Sequence, residues 1–562
     1  MNWIRYSLIA VIFVLAYLLF LQYAKFQARN APKLTEEAPL VMPSLESTVA
    51  TPTPNPTDSA GALPQVKAEN DHSEVKAAST TTVLAPKLIH VKTDTLNLYI
   101  DTHGGDIVKL SLPKYLASLN NDKIGFTLMN RSESETYVAQ SGLLGPQGTD
   151  TESWRPTFQS DDTNYELGDK SDLNVDLHLV QNGVKITKRF HFDKNSYLIH
   201  IEYLIDNTSD KPWQAAIYGQ IRRNDFQVPT DIGIGIKPFL GAAITTPDEN
   251  YKKFHFKDIE KETEKNKGYS LDNKGGWVAL VQHYFVGAWI PNPDSKNHFQ
   301  IKKFHDLYIL GFNGQLQSIA AGQNGRLTTS FYAGPKIIKS LEKIAPHFDL
   351  TIDFGHLWFF SKPMFHFLDF IHRFVGNWGF SIMLLTCSIK LLFFYPSAIS
   401  YRSMAKMRRL QPQMTELKER CGDDKQKYSM EVMKLYKKEK VSPFGGCLPI
   451  MLQMPVFLSL YYMLMETVEL RHAPFILWIH DLSAKDPFFI LPLIMGSTMF
   501  IQQKLNPAPP DPMQAKVMQF MPVVFTMLFL WFPSGLVLYW VVNNSLSILQ
   551  QYIITRSINK AA

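Results

Sequence analysis

LLTCSIKLLFFYP, Leu384 to Pro396, places one lysine inside an otherwise apolar run. An ammonium there costs about 2.5–3.5 kcal/mol on membrane-insertion scales, so Lys390 needs a reason to be present. Four more apolar stretches follow, and together the five cover residues 378–395, 448–465, 488–501, 518–532 and 535–554. Several are short for a ~30 Å hydrocarbon core, which implies a thin bundle, tilted helices or kinks at Pro455, Pro492 and Pro522. Ser7 to Tyr23 is a further uncharged apolar run, flanked by Arg5, Lys25 and Arg29. It lacks the short core and small-residue site of a cleavable signal and reads as a signal anchor over residues 1–29, with a cleaved signal as the alternative. Six spans result.

Residues 401–440 carry twelve Lys and Arg against six Asp and Glu. The positive-inside rule puts this loop in the cytoplasm. By parity both termini are inside and residues of about 24–376 are outside. With that orientation, the polar residues of the spans fall on the inner half: Thr386, Ser388, Lys390, Gln453, Ser497, Thr498, Gln502, Gln519, Asn543, Asn544, Ser547 and Gln550. The outer halves, such as LYYML at Leu460 and FLWF at Phe529, are apolar and aromatic. Polar groups facing lipid are costly, so a cavity wet on the cytoplasmic side and closed outside is expected. Interhelical hydrogen bonding without a cavity is the plainer alternative, and Lys390 by itself could snorkel to the inner headgroups.

Residues 30–86 are rich in Pro, Thr, Ser, Ala and Glu, with no Phe, Tyr or Trp between Phe26 and Tyr99, and read as a flexible linker. Residues 87–346 alternate apolar and polar in short segments such as LNLYID at Leu96, VKITKRFHFD at Val184 and YLIHIEYLID at Tyr197. Turn signals His103-Gly104-Gly105-Asp106 and Asn182-Gly183 separate them, which predicts a large antiparallel β-sandwich. Pro335 is expected to open a short helix reaching Ile344. Residues 354–376 form an amphipathic helix, with Met364, Phe367, Leu368, Ile371, Phe374 and Val375 opposite Lys362, His366, Asp369, His372 and Arg373. It suits the membrane interface, or else the core of the β-domain. Residues 377–562 form the five-span part, with a charged helical hairpin at 400–440 broken near Cys421-Gly422-Asp423-Asp424.

All three cysteines, Cys387, Cys421 and Cys447, lie in the last third, so no disulfide holds the β-domain. Phosphate-loop, dinucleotide and zinc-helix motifs are absent, and the sixteen histidines show no metal-ligand spacing. No cofactor and no catalysis are expected. A net charge of +6 with interspersed signs argues against a nucleic-acid protein.

Several segments are similar to one family: YRSMAKMRRLQPQ at Tyr401, GDDKQK at Gly422, SPFGGCLPIMLQMPVFLSLYYML at Ser442, ELRHAPFILWIHDLSAKDP at Glu469 and LWFPSGLVLYW at Leu530. They resemble the YidC/Oxa/Alb insertases of Gram-negative type, which have a large periplasmic domain. The resemblance implies a polytopic helical protein of the bacterial inner membrane with a five-helix insertase core. It implies a groove, open to cytoplasm and lipid, that receives hydrophobic segments of nascent membrane proteins, alone or with the Sec translocon. Ribosome or targeting factors would meet the cytoplasmic loops, and membrane lipid would meet the released segment. Lys390 matches the groove's cation, where many relatives have Arg. Thr386, Phe457, Met495, Leu528 and Trp540 match residues that contact the incoming helix, Leu528 and Trp540 standing where Phe and Tyr are common. Gln453, Gln502 and Asn543 complete the candidate groove. A transporter with an intramembrane cationic site is the rival reading, against which stands the lack of a polar exit through the outer half.

Overall fold

In VKITKRFHFD the even-numbered residues should share one face, and in the computed structural model this segment is a strand, Val184–Asp193, with Val184, Ile186, Lys188, Phe190 and Phe192 all buried. The structure describes residues 87–560 apart from 120, 152–153, 227–237, 423, 440, 442–447 and 507–511. The signal anchor and the linker expected in residues 1–86 lie outside the described residues. Strand Val184–Asp193 pairs antiparallel with Asp172–Gln181 and with Leu198–Asn207, which in turn pairs with Asn324–Pro335. These strands are four consecutive neighbours in a nine-stranded sheet, and a second sheet of eleven strands runs through Trp213–Asn224 and Asp106–Ser118. Tyr203, Trp289, Phe312 and Phe331, all fully buried, belong to the core that residues of both sheets share.

Lys188 sits on the core face where alternation alone calls for an apolar residue. Its three N–H groups are spent on the carbonyls of Gly104 (3.0 Å), Gly105 (2.8 Å) and Ser141 (3.0 Å). Gly104 and Gly105 have φ of 76° and 64°, which favours glycine, and a Cβ on Gly105 would lie 2.9 Å from Lys188 Cδ. Beside this turn Arg155 bridges Asp106 and Asp150, so the buried charges are paired. Burial nonetheless pushes the Lys188 ammonium down to about 7.

The helices are α1 (Phe256–Asn266), α2 (Ile338–Ile344), α3 (Trp358–Val375), α4 (Trp378–Leu392), α5 (Phe394–Arg409), α6 (Gln411–Cys421), α7 (Lys425–Lys438), α8 (Leu448–Glu466), α9 (Ile490–Leu505), α10 (Pro512–Phe529) and α11 (Ser534–Lys560). Among the described residues no single helix is long and apolar enough to cross a membrane, and one bent pair, α4 with α5 at 68°, qualifies on length and composition. The five apolar stretches correspond to α4, α8, α9, α10 and α11.

Three expectations are corrected. Pro335 ends a strand instead of opening a helix, because its carbonyl accepts the Tyr332 hydroxyl and the next N–H goes to Tyr284 O; α2 starts at Ile338. The stretch containing Lys390 stops being one helix at Phe393, so the lysine lies in the last turn of α4 and not several residues short of the end. Helix α3 has three faces instead of two. Phe365 and Leu368 are buried, Lys362 and Asp369 are ion-paired, and Phe367, Phe370 and Phe374 are exposed, the last at 77%.

Those ion pairs fix α3 to the end of the β-domain: Lys362 reaches Glu342 and Asp349, and Asp369 meets Lys339. A second core continues from Ala288 and Tyr332 of the nine-stranded sheet, and from Trp277 just before one of its strands, through Leu341, Phe348 and Leu368 to Leu385, Leu460, Met495 and Val537. The sheet and the helices are therefore built on shared packing. The pairing Lys336 Nζ to Glu466 Oε2 at 2.9 Å is almost fully buried in this junction. Burial also pushes His283 down to about 3, and its neutral ring donates from Nε2 to Met465 O at 2.7 Å. Helices α5 to α7 hold a small core of their own, formed by Met407, Leu410, Met414, Val432 and Tyr436.

Candidate functional site

Helix α4 starts at a side-chain cap, Asn377 Oδ1 accepting Phe380 N–H at 3.1 Å, and ends two residues after Lys390. A cation in the last turn faces the negative end of the helix dipole. Long helix α11 runs beside it, anchored at its start where Ser534 donates to Ala484 O from both its N–H and its hydroxyl. Along α11, Asn543, Asn544, Ser547, Gln550 and Gln551 are all buried. Their spacing of four, seven and eight residues draws one polar stripe on a helix.

The stripe is bonded to three other helices. Lys390 Nζ donates to Ser547 Oγ at 2.7 Å, tying α4 to α11. Gln550 Nε2 donates to Phe394 O at the start of α5 (3.1 Å). Asn544 reaches Thr498 Oγ1 on α9 at 3.3 Å, and Gln551 reaches Leu505 O and Asn506 Oδ1 at its end. At the opposite end Tyr461 of α8, Phe529 of α10, Phe532 of the connection after it and Trp540 of α11 form a ring cluster with Phe457, with centroids 4.8–5.9 Å apart along Tyr461–Phe532, Phe529–Phe532, Phe529–Trp540 and Phe457–Trp540. Polar groups thus collect at one end of the bundle and aromatic rings at the other.

Lys390 is 7% exposed, and Ser547 is its hydrogen-bond partner among the described residues. One hydrogen bond from a charged donor contributes about 1.5–3 kcal/mol, comparable to the insertion cost of the lysine but spent on one of its three N–H groups. Among the described residues no second acceptor is bonded to the other two N–H groups.

The structure places the predicted residues unequally. Lys390 and Asn543 come together through Ser547, whose hydroxyl donates to Asn543 O at 2.7 Å. Thr386, one turn before Lys390, is 1% exposed and spends its hydroxyl on Ile382 O of its own helix. Phe457 and Trp540 meet edge to face at 5.2 Å within the aromatic cluster. Met495 is fully buried in the core, whereas Leu528 is 38% exposed. Gln453 and Gln502 are half-buried on α8 and α9. Sequence reasoning singles out Asn543 and leaves Ser547 as one polar residue among several; it misses Gln551. The helical stripe spacing is the signal that finds Ser547 and Gln551.

Residues 88–367 match the family model of the YidC periplasmic domain, and residues 370–561 match that of the 60Kd inner membrane protein. A relative from Saccharophagus degradans, named membrane protein insertase YidC, is 54% identical over 563 residues and covers 100% of both chains. One of the same name from Cellvibrio japonicus is 51% identical, covering 100% of this chain and 99% of its own. A solved structure of an active YidC insertase with its first transmembrane domain resolved aligns with 84% of this chain and 93% of its own at 18% identity, with a TM-score of 0.37, too low for the overlay to bear on any residue's role.

Proposed function

The chain belongs to the YidC family of bacterial inner-membrane insertases, and on that premise we propose that the polar end of its helical bundle is where a nascent membrane protein is received before release into lipid. The observation that carries this reading is the pairing of Lys390 with Ser547 at the polar end, opposite the aromatic cluster. The protein acts on membrane proteins being made, and the work is non-covalent. A polar or acidic tail of the client enters from the cytoplasm and is held transiently by the two remaining N–H groups of Lys390, which lowers its desolvation cost. The apolar segment slides past α4 and α11 into lipid, driven by hydrophobic partitioning.

This mechanism needs the orientation given by the charged loop: hairpin α6–α7 inside, β-domain outside, both termini inside, six spans in all. The exposed aromatic face of α3 (Phe367, Phe370, Phe374) suits the outer interface, its polar face being occupied by the β-domain's ion pairs. The hairpin, basic and with its own core, suits docking of a ribosome, a targeting factor or the Sec translocon. The test is production of the full chain in cells depleted of their own insertase. Insertion of a client with a short translocated tail is expected to be restored; failure at normal membrane accumulation would overturn the reading.

A further inference from the structure

We propose that Ser547 is a positioning residue that holds the Lys390 ammonium across the bundle, between α4 and α11, ready for an acidic client group; this rests on the reading of Lys390 as the groove cation. A serine hydroxyl has one proton and two acceptor positions. The proton goes to Asn543 O at 2.7 Å, one turn back along α11. One acceptor position takes Lys390 Nζ at 2.7 Å. The hydroxyl's single proton is therefore spent.

The consequence for Lys390 is directional. A four-carbon stem two residues from the end of α4 could instead extend to the cytoplasmic headgroups. Bonded to Ser547 it lies across the bundle, and the serine, its one proton already on Asn543 O, has none to offer an incoming carboxylate.

The test compares two clients that differ only in whether the translocated tail carries an acidic residue or its amide. A merely structural defect slows both equally. Ser547→Ala should slow the acidic client about tenfold, the low end for a hydrogen bond from a charged donor, and spare the amide client. Ser547→Thr, which keeps a hydroxyl able to bond back along the helix, should restore the preference. In a Lys390→Gln background Ser547→Ala should add nothing. The proposal is overturned if Ser547→Ala matches the unsubstituted chain on both clients, slows both equally, or multiplies the Lys390→Gln loss. If Ser547→Ala leaves the acidic preference intact while Lys390→Gln abolishes it, the groove cation stands and only the positioning role falls. Loss of neither preference in either variant overturns both.

Discussion

Lys390→Glu is expected to abolish client insertion, while Lys390→Arg keeps most of it, both measured by complementation at matched membrane levels. The ammonium lies at the negative end of the α4 dipole and donates to Ser547 Oγ, which has no second proton to offer a carboxylate. A glutamate there would face helix carbonyls and repel the acidic tails that the proposed mechanism brings to the lysine. At ~4 Å and an effective dielectric near 20, two unit charges interact by about 4 kcal/mol, so reversing the sign costs on the order of a thousandfold or more in client capture. Arginine keeps the charge and can reach the same oxygen with one arm of its fork, although its planar group fits a point-charge position less well. Full complementation by Lys390→Glu would remove electrostatics from the mechanism.

The second large effect is a contrast between deletions. Removing residues 406–440 should reduce insertion to the level of cells without the protein, because it takes α6, α7 and most of the small core that holds the hairpin together, along with most of the loop's positive charge. Removing residues 87–320 should be tolerated. That deletion takes the Leu116 carbonyl from Arg471 and the His283 ring from the Met465 carbonyl. It also takes Trp277 and Ala288 from the shared core, which uncovers Phe348, but leaves Tyr332, Leu341 and Leu368 there, Lys336 on Glu466, and the ion pairs that fix α3. Water can replace the lost partners once the β-domain no longer covers them, so the unpaired groups are not left dry. Equal insertion defects in the two deletions, at matched accumulation, would contradict this division of labour.

Local periodicity explains which elements are legible in the sequence. Val184–Asp193 falls where alternation and the Asn182-Gly183 turn place it, and the hairpin breaks at Cys421, where α6 ends. The five apolar stretches all become helices for the same reason. What local pattern misses depends on partners far away along the chain. Lys188 looks like an error in a strand pattern until the carbonyls of Gly104 and Gly105, more than eighty residues earlier, are brought to it. Pro335 looks like a helix start because its fixed φ suits one, but pairing with the neighbouring strand keeps it extended. Lys390 can be picked out by its cost in a membrane, whereas its partner Ser547, 157 residues on, is an ordinary helix serine until α4 and α11 are packed together. The residues carried over by family resemblance divide likewise: Phe457 and Trp540 meet, Met495 is core and Leu528 faces outward.

Water is expected to reach the polar end of the bundle and not the aromatic end. Single cysteines at Thr386, Gln502 and Asn543, in a chain lacking Cys387, Cys421 and Cys447, can be exposed to a small charged thiol reagent from the cytoplasmic side and compared with cysteines at Leu460, Phe529 and Val537. Labelling requires thiolate, which hardly forms in dry apolar surroundings, so its rate reports local water. Leu460, Phe529 and Val537 are buried in the apolar core, whereas Asn543 and Thr386, though equally covered, lie within one turn of the Lys390 and Ser547 contact. The expected result is labelling of the first three positions, Gln502 fastest because it is only half-buried, and none of the second three. Unreactive cysteines at all six positions, or labelling of Leu460, Phe529 or Val537 from the outer side, would contradict a groove wet from the cytoplasm and closed outside.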